Sequence, residues 1–291
     1  MRRDPYPLSA SVDRANGAPR ESTARPAASA VLADLRRIWR ASGSWLPHGW
    51  GDALVQLALF AGAYYAYRLV RGHIDGEVAR AFANARAIVD LERSLGLFFE
   101  PSLQAWASAH RWLVEAASAM YVNSHFVVTT TFLIWLYIAR NEAFYFVRNT
   151  FMLAMGFALL GYALFPTAPP RFLPEWGFTD TVASFFGENA QKSASALYNP
   201  FAAMPSMHVA FALMIGVPAV ALVRNRALRL AWAVYPLVVT FVVIVTANHF
   251  WLDAAVGAAV AATSAVIARS ALSRARPTVW AWPTANARTT A

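Results

Sequence analysis

Two histidines and one aspartate stand beside apolar segments of the chain, where ionisable side chains are unusual. His208 ends the segment Met204-Pro205-Ser206-Met207-His208 and precedes the apolar run 209–223, whereas His249 follows the apolar run 231–247. Ionisable groups at the edge of hydrocarbon are costly, so by default they indicate function. Asp253 follows His249 by four residues, which predicts one helix face on which the carboxylate orients and charge-stabilises the imidazole. Such a pair could supply a nucleophile or a base, with His208 as the acid.

The residues before His208 also predict a site for an anion. Pro205 suits the first turn of a helix, where its missing N–H costs nothing. The free N–H groups of Ser206 and Met207, together with the helix dipole, would then bind a phosphate that His208 contacts. The alternative is a His208 side chain that only reaches the membrane interface. The second histidine motif on the same face favours the phosphate site.

A loop arginine is the third candidate for phosphate binding. Pro169 and Pro170 stiffen the chain before Arg171, whose planar guanidinium suits phosphate oxygens; a lipid headgroup anchor is the alternative. Further polar side chains are predicted to line a substrate pocket, namely Lys192, Tyr198, Asn199, Tyr121 and His125. For the last two, hydrogen bonding between helices explains the sequence equally well. No third ligand accompanies the histidine–aspartate pair, so neither a metal nor another cofactor is predicted.

The composition indicates a membrane protein. Of 291 residues, 58% are hydrophobic, and several apolar runs have the length of about twenty residues that spans a bilayer. The net charge of +9 would suggest nucleic acid as the partner of a soluble protein. Here the arginines cluster at the chain ends and in short loops, which favours the bilayer and its anionic headgroups as partners and excludes nucleic acid. The sequence does not indicate an oligomeric state.

The apolar runs predict an all-α, polytopic membrane protein built as a bundle of six transmembrane helices. Six spans are expected within a catalytic membrane domain at 52–271, at about 52–70, 112–138, 143–165, 206–223, 230–247 and 249–271. An amphipathic helix lying on the membrane surface is expected between His73 and Glu100, with both charge signs, including Asp90 and Glu92, on its solvated polar face. The remaining segments are predicted as a disordered tail at 1–30, a candidate interfacial helix at 31–51 and a polar tail at 272–291.

The arginines also predict the orientation in the cell membrane. With six spans, one side of the bundle carries Arg36, Arg37, Arg40, Arg140, Arg224, Arg226, Arg229, Arg269, Arg274 and Arg276. Cytoplasmic loops carry an excess of Lys and Arg, so this side and both termini are expected in the cytoplasm. The long loop 166–203, His208 and His249 then lie on the extracytoplasmic face.

These motifs resemble those of the type-2 phosphatidic acid phosphatase superfamily. Ala203-Met204-Pro205-Ser206-Met207-His208 is similar to the second motif of that family, Pro-Ser-x-His, and His249-x-x-x-Asp253 is similar to the end of the third. The resemblance covers about residues 52–271 and implies a six-span lipid phosphatase or phosphotransferase. It further implies that His249 attacks phosphorus to form a phosphohistidine, that Asp253 orients it, and that His208 protonates the leaving oxygen.

Two departures from the usual pattern resemble the inositol phosphorylceramide synthase-like branch. The first motif, Lys with Arg-Pro seven residues later, is replaced by Pro-Thr-Ala-Pro-Pro-Arg171, and Val243 stands where the third motif usually has arginine. Two activities follow from the resemblance: hydrolysis of a lipid phosphate ester, or transfer of a phosphoryl-polyol such as phosphoinositol between lipids, with a polyol acceptor. A lipid transporter or scaffold is the non-enzymatic alternative.

Overall fold

The helices follow the apolar runs of the sequence. A computed structural model describes residues 24–74, 77–186 and 201–284, and these residues form helices and no strand, with one isolated bridge between Thr167 and Ala202. The principal helices are α1 (Ala24–Gly43), α2 (Gly49–Ile74), α3 (Val78–Ser94), α4 (Glu100–Ser108), α5 (Arg111–Ala139), α6 (Asn141–Leu164), α7 (Thr181–Phe186), α8 (Met207–Leu222), α9 (Arg226–Val245) and α10 (Trp251–Ile267). The prediction of an all-α protein is therefore confirmed.

Six helices coincide with the six expected spans, but fewer of them meet the requirements for crossing a membrane. Among the described residues, three helices are long and apolar enough: Asn141–Leu164, Arg226–Val245 and Trp251–Ala275. Arg111–Asn123 and Phe126–Ala139, which are bent by 49°, make a fourth if they form one span, whereas Met207–Leu222 is apolar but shorter. These helices fit a membrane protein, and the number of six spans stays a prediction.

The chain divides into two compact units, residues 1–50 and 51–291. In the first unit, α1 leaves the apolar side chains of Leu35, Ile38 and Trp39 exposed, and the Trp39 ring stacks on Trp50 with centroids 4.9 Å apart. This amphipathic helix overlaps the expected interfacial helix at 31–51, although it begins earlier, at Ala24, inside the expected tail. Its contact with a lipid surface stays a prediction.

In the second unit, α3 is amphipathic as expected but is more than a helix lying on a surface. Its inner face packs on the loop after α6 and on Phe250, in an apolar cluster completed by Ala81, Ala85, Ile88, Val89, Ala168, Leu173, Phe178 and Ala247. Glu92, which the sequence places on the polar face, is 0% exposed. The backbone N–H of Ala168 donates to Ala81 O at 3.1 Å, so α3 fixes the loop that carries Arg171. The prediction that Glu92 lies on the solvated face of α3 is therefore wrong.

A buried polar cluster joins α2 to α5 and α6. Asp52 accepts hydrogen bonds from the hydroxyls of Tyr137 at 2.9 Å and Tyr145 at 2.8 Å. Arg148 donates to Gln56 Oε1 at 2.8 Å and is only 5% exposed. From its place near the end of an apolar run, Arg148 would be expected to extend to the lipid interface. Instead, its guanidinium is buried and donates to Gln56 of α2 and to Asn149 of its own helix.

Candidate active site

His249 lies between α9 and α10, close to the start of α10. The N-cap of α10 is Phe250 and its first residue is Trp251, so His249 is not on the same helix face as Asp253, contrary to the expectation from their spacing. The backbone N–H of His249 donates to Val243 O at 3.1 Å, which fixes the turn after α9. Asp253 Oδ2 accepts a hydrogen bond from Phe250 N at 2.9 Å and lies 3.5 Å from His249 Nδ1. The side-chain contact therefore forms because Asp253 folds back to cap its own helix.

The partners of the His249 imidazole determine which of its nitrogens can react. Nδ1 lies 2.8 Å from the carbonyl oxygen of Ala203, and His249 is 5% exposed. A carbonyl oxygen only accepts hydrogen bonds, so Nδ1 carries the proton and the lone pair is on Nε2. Asp253, which is 0% exposed, lies on the Nδ1 side of the same ring. This arrangement suits Nε2 as a nucleophile.

His208 is the second residue of α8, and its ring stands next to His249. The two ring centroids are 5.6 Å apart and the planes are inclined by 61°. On its other side, His208 stacks on Tyr121 of α5, with centroids 4.5 Å apart and an interplanar angle of 25°. The structure thus brings together His208, His249 and Tyr121, which come from three separate parts of the chain.

The segment before His208 differs in part from the expected anion site. α8 begins at Met207 and Ser206 is its N-cap, so Pro205 precedes the helix rather than lying in its first turn. The Ser206 N–H donates to Asp253 O at 3.0 Å and is not available to a phosphate. The Ser206 hydroxyl is buried, and among the described residues it has no hydrogen-bond partner. A phosphate contact by Ser206 would therefore use Oγ, while Met207 stays a candidate through its backbone N–H.

A close backbone contact holds this segment against α10. A Cβ atom added at Gly257 would lie 2.3 Å from the Ser206 carbonyl oxygen, so this position accommodates only glycine without rearrangement. Tyr162 of α6 donates a hydrogen bond to Pro205 O at 3.2 Å. The segments that carry His208 and His249 are therefore joined by backbone contacts as well as by the histidine rings.

Arg171 lies beside the His249 segment. Its backbone N–H donates to Ala247 O at 2.8 Å, and its Nη1 donates to the side-chain oxygen of Asn248. Its Nε is 3.6 Å from Asp180 Oδ2, and Arg171 is 8% exposed. Asn248 in turn donates to Thr246 Oγ1 at 2.9 Å. Asn248 and Asp180, which sequence reasoning gave no role, thus hold the guanidinium next to the histidine pair.

The other predicted pocket residues are not placed. Lys192, Tyr198 and Asn199 lie outside the described residues. His125 belongs to α5 by its backbone, but its side chain is outside the described part of the chain. Within the described ranges, no group of three or more His, Cys, Asp or Glu residues could hold a metal ion.

Two buried glutamates contact the start of α10. Glu92, near the end of α3, and Glu100, the first residue of α4, are both 0% exposed. Glu100 Oε1 accepts from Trp251 N at 3.0 Å, and Glu92 Oε1 accepts from Leu252 N at 3.2 Å. Burial and the neighbouring Glu100 raise the pKa of Glu92 to about 9. The sequence gives no direct signal for these contacts, since the glutamates lie about 150 residues before the helix they cap.

The comparison with protein families agrees with the motif resemblance. Residues 86–267, more than half of the chain, match the PAP2 superfamily, whose members are phosphatases and phosphotransferases acting on phosphate esters. The matched range includes Arg171, His208, His249 and Asp253. No curated protein matches, and no solved structure matches. The match identifies the superfamily and does not distinguish its branches.

Proposed function

The chain belongs to the PAP2 superfamily, and we propose that it is a membrane enzyme that cleaves a lipid phosphate ester through a phosphohistidine on His249. The observation that carries this proposal is the environment of the His249 ring. Its Nδ1 is hydrogen-bonded to Ala203 O, while its neighbours are the Asp253 carboxylate and the His208 ring. This leaves a nucleophilic nitrogen beside a group that can donate a proton.

The first step would transfer the phosphoryl group to the protein. His249 Nε2 forms a bond to phosphorus as the bond from phosphorus to the ester oxygen breaks. His208 enters as the imidazolium and gives its proton to the leaving oxygen. The Asp253 carboxylate offsets the positive charge of the phosphorylated His249 ring, and Arg171 binds phosphate oxygens.

The second step would regenerate the enzyme. Water or an alcohol gives its proton to the neutral His208 ring as its oxygen bonds to phosphorus, and the bond from phosphorus to His249 breaks. With a phosphomonoester donor, water gives inorganic phosphate and an alcohol gives a new phosphomonoester. With a phosphodiester donor, water gives a phosphomonoester and an alcohol gives a new phosphodiester. Both outcomes use the same residues, so the acceptor determines whether the enzyme is a hydrolase or a transferase.

The second candidate function is a transferase, as in the inositol phosphorylceramide synthase-like branch. The apolar side chain of Val243 favours this function. Val243 is 0% exposed and packs in an apolar cluster with Val209, Ala212 and Ala254. This position, which usually carries an arginine in the superfamily, therefore supplies no cation to the phosphate. A phosphodiester carries less charge than a phosphomonoester and needs fewer cations. This supports a donor with a polyol headgroup.

Purified protein incubated with labelled lipids tests the function. Labelled phosphatidate or polyprenyl phosphate should release inorganic phosphate if the protein is a phosphatase. A lipid with a phosphoinositol headgroup, supplied with an acceptor lipid alcohol or a free polyol, should give a new phosphodiester if it is a transferase. Mass spectrometry distinguishes these products. Lipid binding with no chemical change, and no phosphoenzyme, would favour a transporter or scaffold.

We also propose six spans, an extracytoplasmic active site and cytoplasmic termini, as the arginine distribution predicts. The chain has no cysteine, so single cysteines report topology directly. The Glu175→Cys variant should react with an impermeant maleimide in intact cells, whereas Arg224→Cys should react only after permeabilisation. Both positions are exposed, and Arg224 avoids the neighbouring Asn225, whose side chain caps α9. Labelling of Arg224→Cys in intact cells would contradict this topology; the unsubstituted chain is the control.

A further inference from the structure

Three carboxylates hold the N-terminal turn of α10. Phe250 N donates to Asp253, Trp251 N donates to Glu100, and Leu252 N donates to Glu92. The first N–H groups of a helix have no partner inside the helix, so side chains must supply one. Only Asp253 belongs to α10 itself. The two glutamates come from α3 and α4 and bind the two residues that follow Phe250, directly beyond His249.

The glutamates form a buried pair that requires a proton. Each uses Oε1 to accept an N–H of α10, while Oε2 of each has no N–H or hydroxyl donor within the described ranges. Their Oε1 atoms accept the N–H groups of adjacent residues, Trp251 and Leu252, which brings the two carboxyl groups together, and Asp253 binds the same turn. Two buried carboxylates in contact cannot both be ionised without a large cost, so one proton is shared between them. Burial and the neighbouring Glu100 raise the pKa of Glu92, which agrees with one protonated carboxyl group in the pair.

We infer that Glu92 and Glu100 are positioning residues for the His249–Asp253 pair, acting as one proton-sharing unit that fixes the first turn of α10. This inference rests on the proposed phosphohistidine chemistry of His249. Among the described residues, the hydrogen bonds that the glutamates accept come from backbone N–H groups of α10, so they act through the position of His249 rather than on the phosphate. Their hydrogen bonds bind Trp251 and Leu252, between His249 and Asp253, so a loss of these contacts would displace both side chains. A displacement of about 1 Å in an active site can cost about 10²-fold in rate.

Glutamine replacements separate the shared proton from simple packing. In Glu92→Gln, the amide oxygen accepts Leu252 N and the amide NH₂ donates to Glu100, as the protonated Glu92 does. In Glu100→Gln, the amide NH₂ donates to an ionised Glu92. In the double variant two NH₂ groups face each other, and one hydrogen bond is lost whichever way the amides turn. Each single variant should therefore be tolerated and the double variant should not.

The experiment measures the single-turnover rate of phosphoenzyme formation, with the lipid phosphate or headgroup lipid that the wild type cleaves. The rates of Glu92→Gln and Glu100→Gln should each be within about threefold of the wild-type rate. The double variant and Glu92→Ala should react roughly 10- to 100-fold more slowly, while the KM measured in steady-state turnover stays unchanged. Asp90→Ala is the matched control, because Asp90 is an exposed carboxylate on the same helix. Circular dichroism reports whether each variant is folded.

The possible results distinguish the two proposals. A wild type that forms no phosphoenzyme would refute the proposed function itself. A wild type that forms it, with a double variant as fast as Asp90→Ala, would overturn only the positioning role. A double variant that does not fold would also overturn it, because the glutamates would then be structural. If Glu92→Ala alone fails to fold, the three glutamine variants decide the question.

Discussion

The His249→Ala variant should form no phosphoenzyme and should lose activity by at least about 10⁴-fold. The Ala203 carbonyl and the Asp253 carboxyl group contact Nδ1 of His249, which leaves Nε2 on the opposite side of the ring to attack phosphorus. Alanine removes the nucleophile, and without a nucleophile the covalent intermediate cannot form. Rapid quenching of the reaction with ³²P-labelled substrate, followed by a test for acid-labile and base-stable label, measures the intermediate.

The control for this variant is His110→Ala. His110 is an exposed histidine at the start of α5, and its ring contacts Trp106 O and the Trp106 ring in the preceding helix. This control should form phosphoenzyme at the wild-type rate, which excludes a general effect of removing a histidine. Wild-type levels of the intermediate in His249→Ala would show that another residue is the nucleophile.

The helices could be predicted from sequence because their signals are local. Uninterrupted apolar runs give helices at each of the six expected places, and the motif pair gives the superfamily that the family comparison confirms. The segment 141–164 illustrates this, since its length and hydropathy alone identify a helix that can cross a membrane. The count of spans is less certain from sequence, because a short helix such as Met207–Leu222 is apolar but does not have the usual length.

The contacts within the site were harder to predict because they depend on distant residues. Spacing places His249 and Asp253 on one helix face, but the helix starts after His249, and the contact comes from a cap. Helical periodicity cannot distinguish Glu92 from the exposed Asp90, because a buried charge is recognised only by its partner. That partner, the backbone of Leu252, comes from the other end of the chain.

Asn248 is another residue whose contact could not be predicted from the sequence. It stands next to His249 in the motif, and its neighbours give no sign that its side chain accepts a hydrogen bond from Arg171. The contact arises because the loop after α6 returns to the turn before α10, where Arg171 N also binds Ala247 O. Arg171, which the sequence predicts as a phosphate ligand, is thus bound to the turn that carries His249.

In the His208→Ala variant, the rate of phosphoenzyme formation should fall about 10²–10⁴-fold with an alkyl phosphate ester and much less with p-nitrophenyl phosphate. An alkoxide must receive a proton as it leaves, whereas nitrophenolate is stable without one. The ring of His208 lies between His249 and Tyr121. Removal of the His208 ring therefore takes away the proton donor and leaves Asp253 in place. The ratio of the two rates for wild type and variant measures this role.

The same variant should also accumulate the intermediate. Without His208 no base activates the incoming water, so p-nitrophenyl phosphate should give a burst of about one nitrophenolate per active site, followed by slow turnover. His110→Ala should turn over both substrates as the wild type does. Equal decreases in the rate of phosphoenzyme formation with both substrates would show that His208 is not the leaving-group acid. A burst in His208→Ala and none in His249→Ala would assign the two histidines to separate steps, because only His249 carries the phosphoryl group.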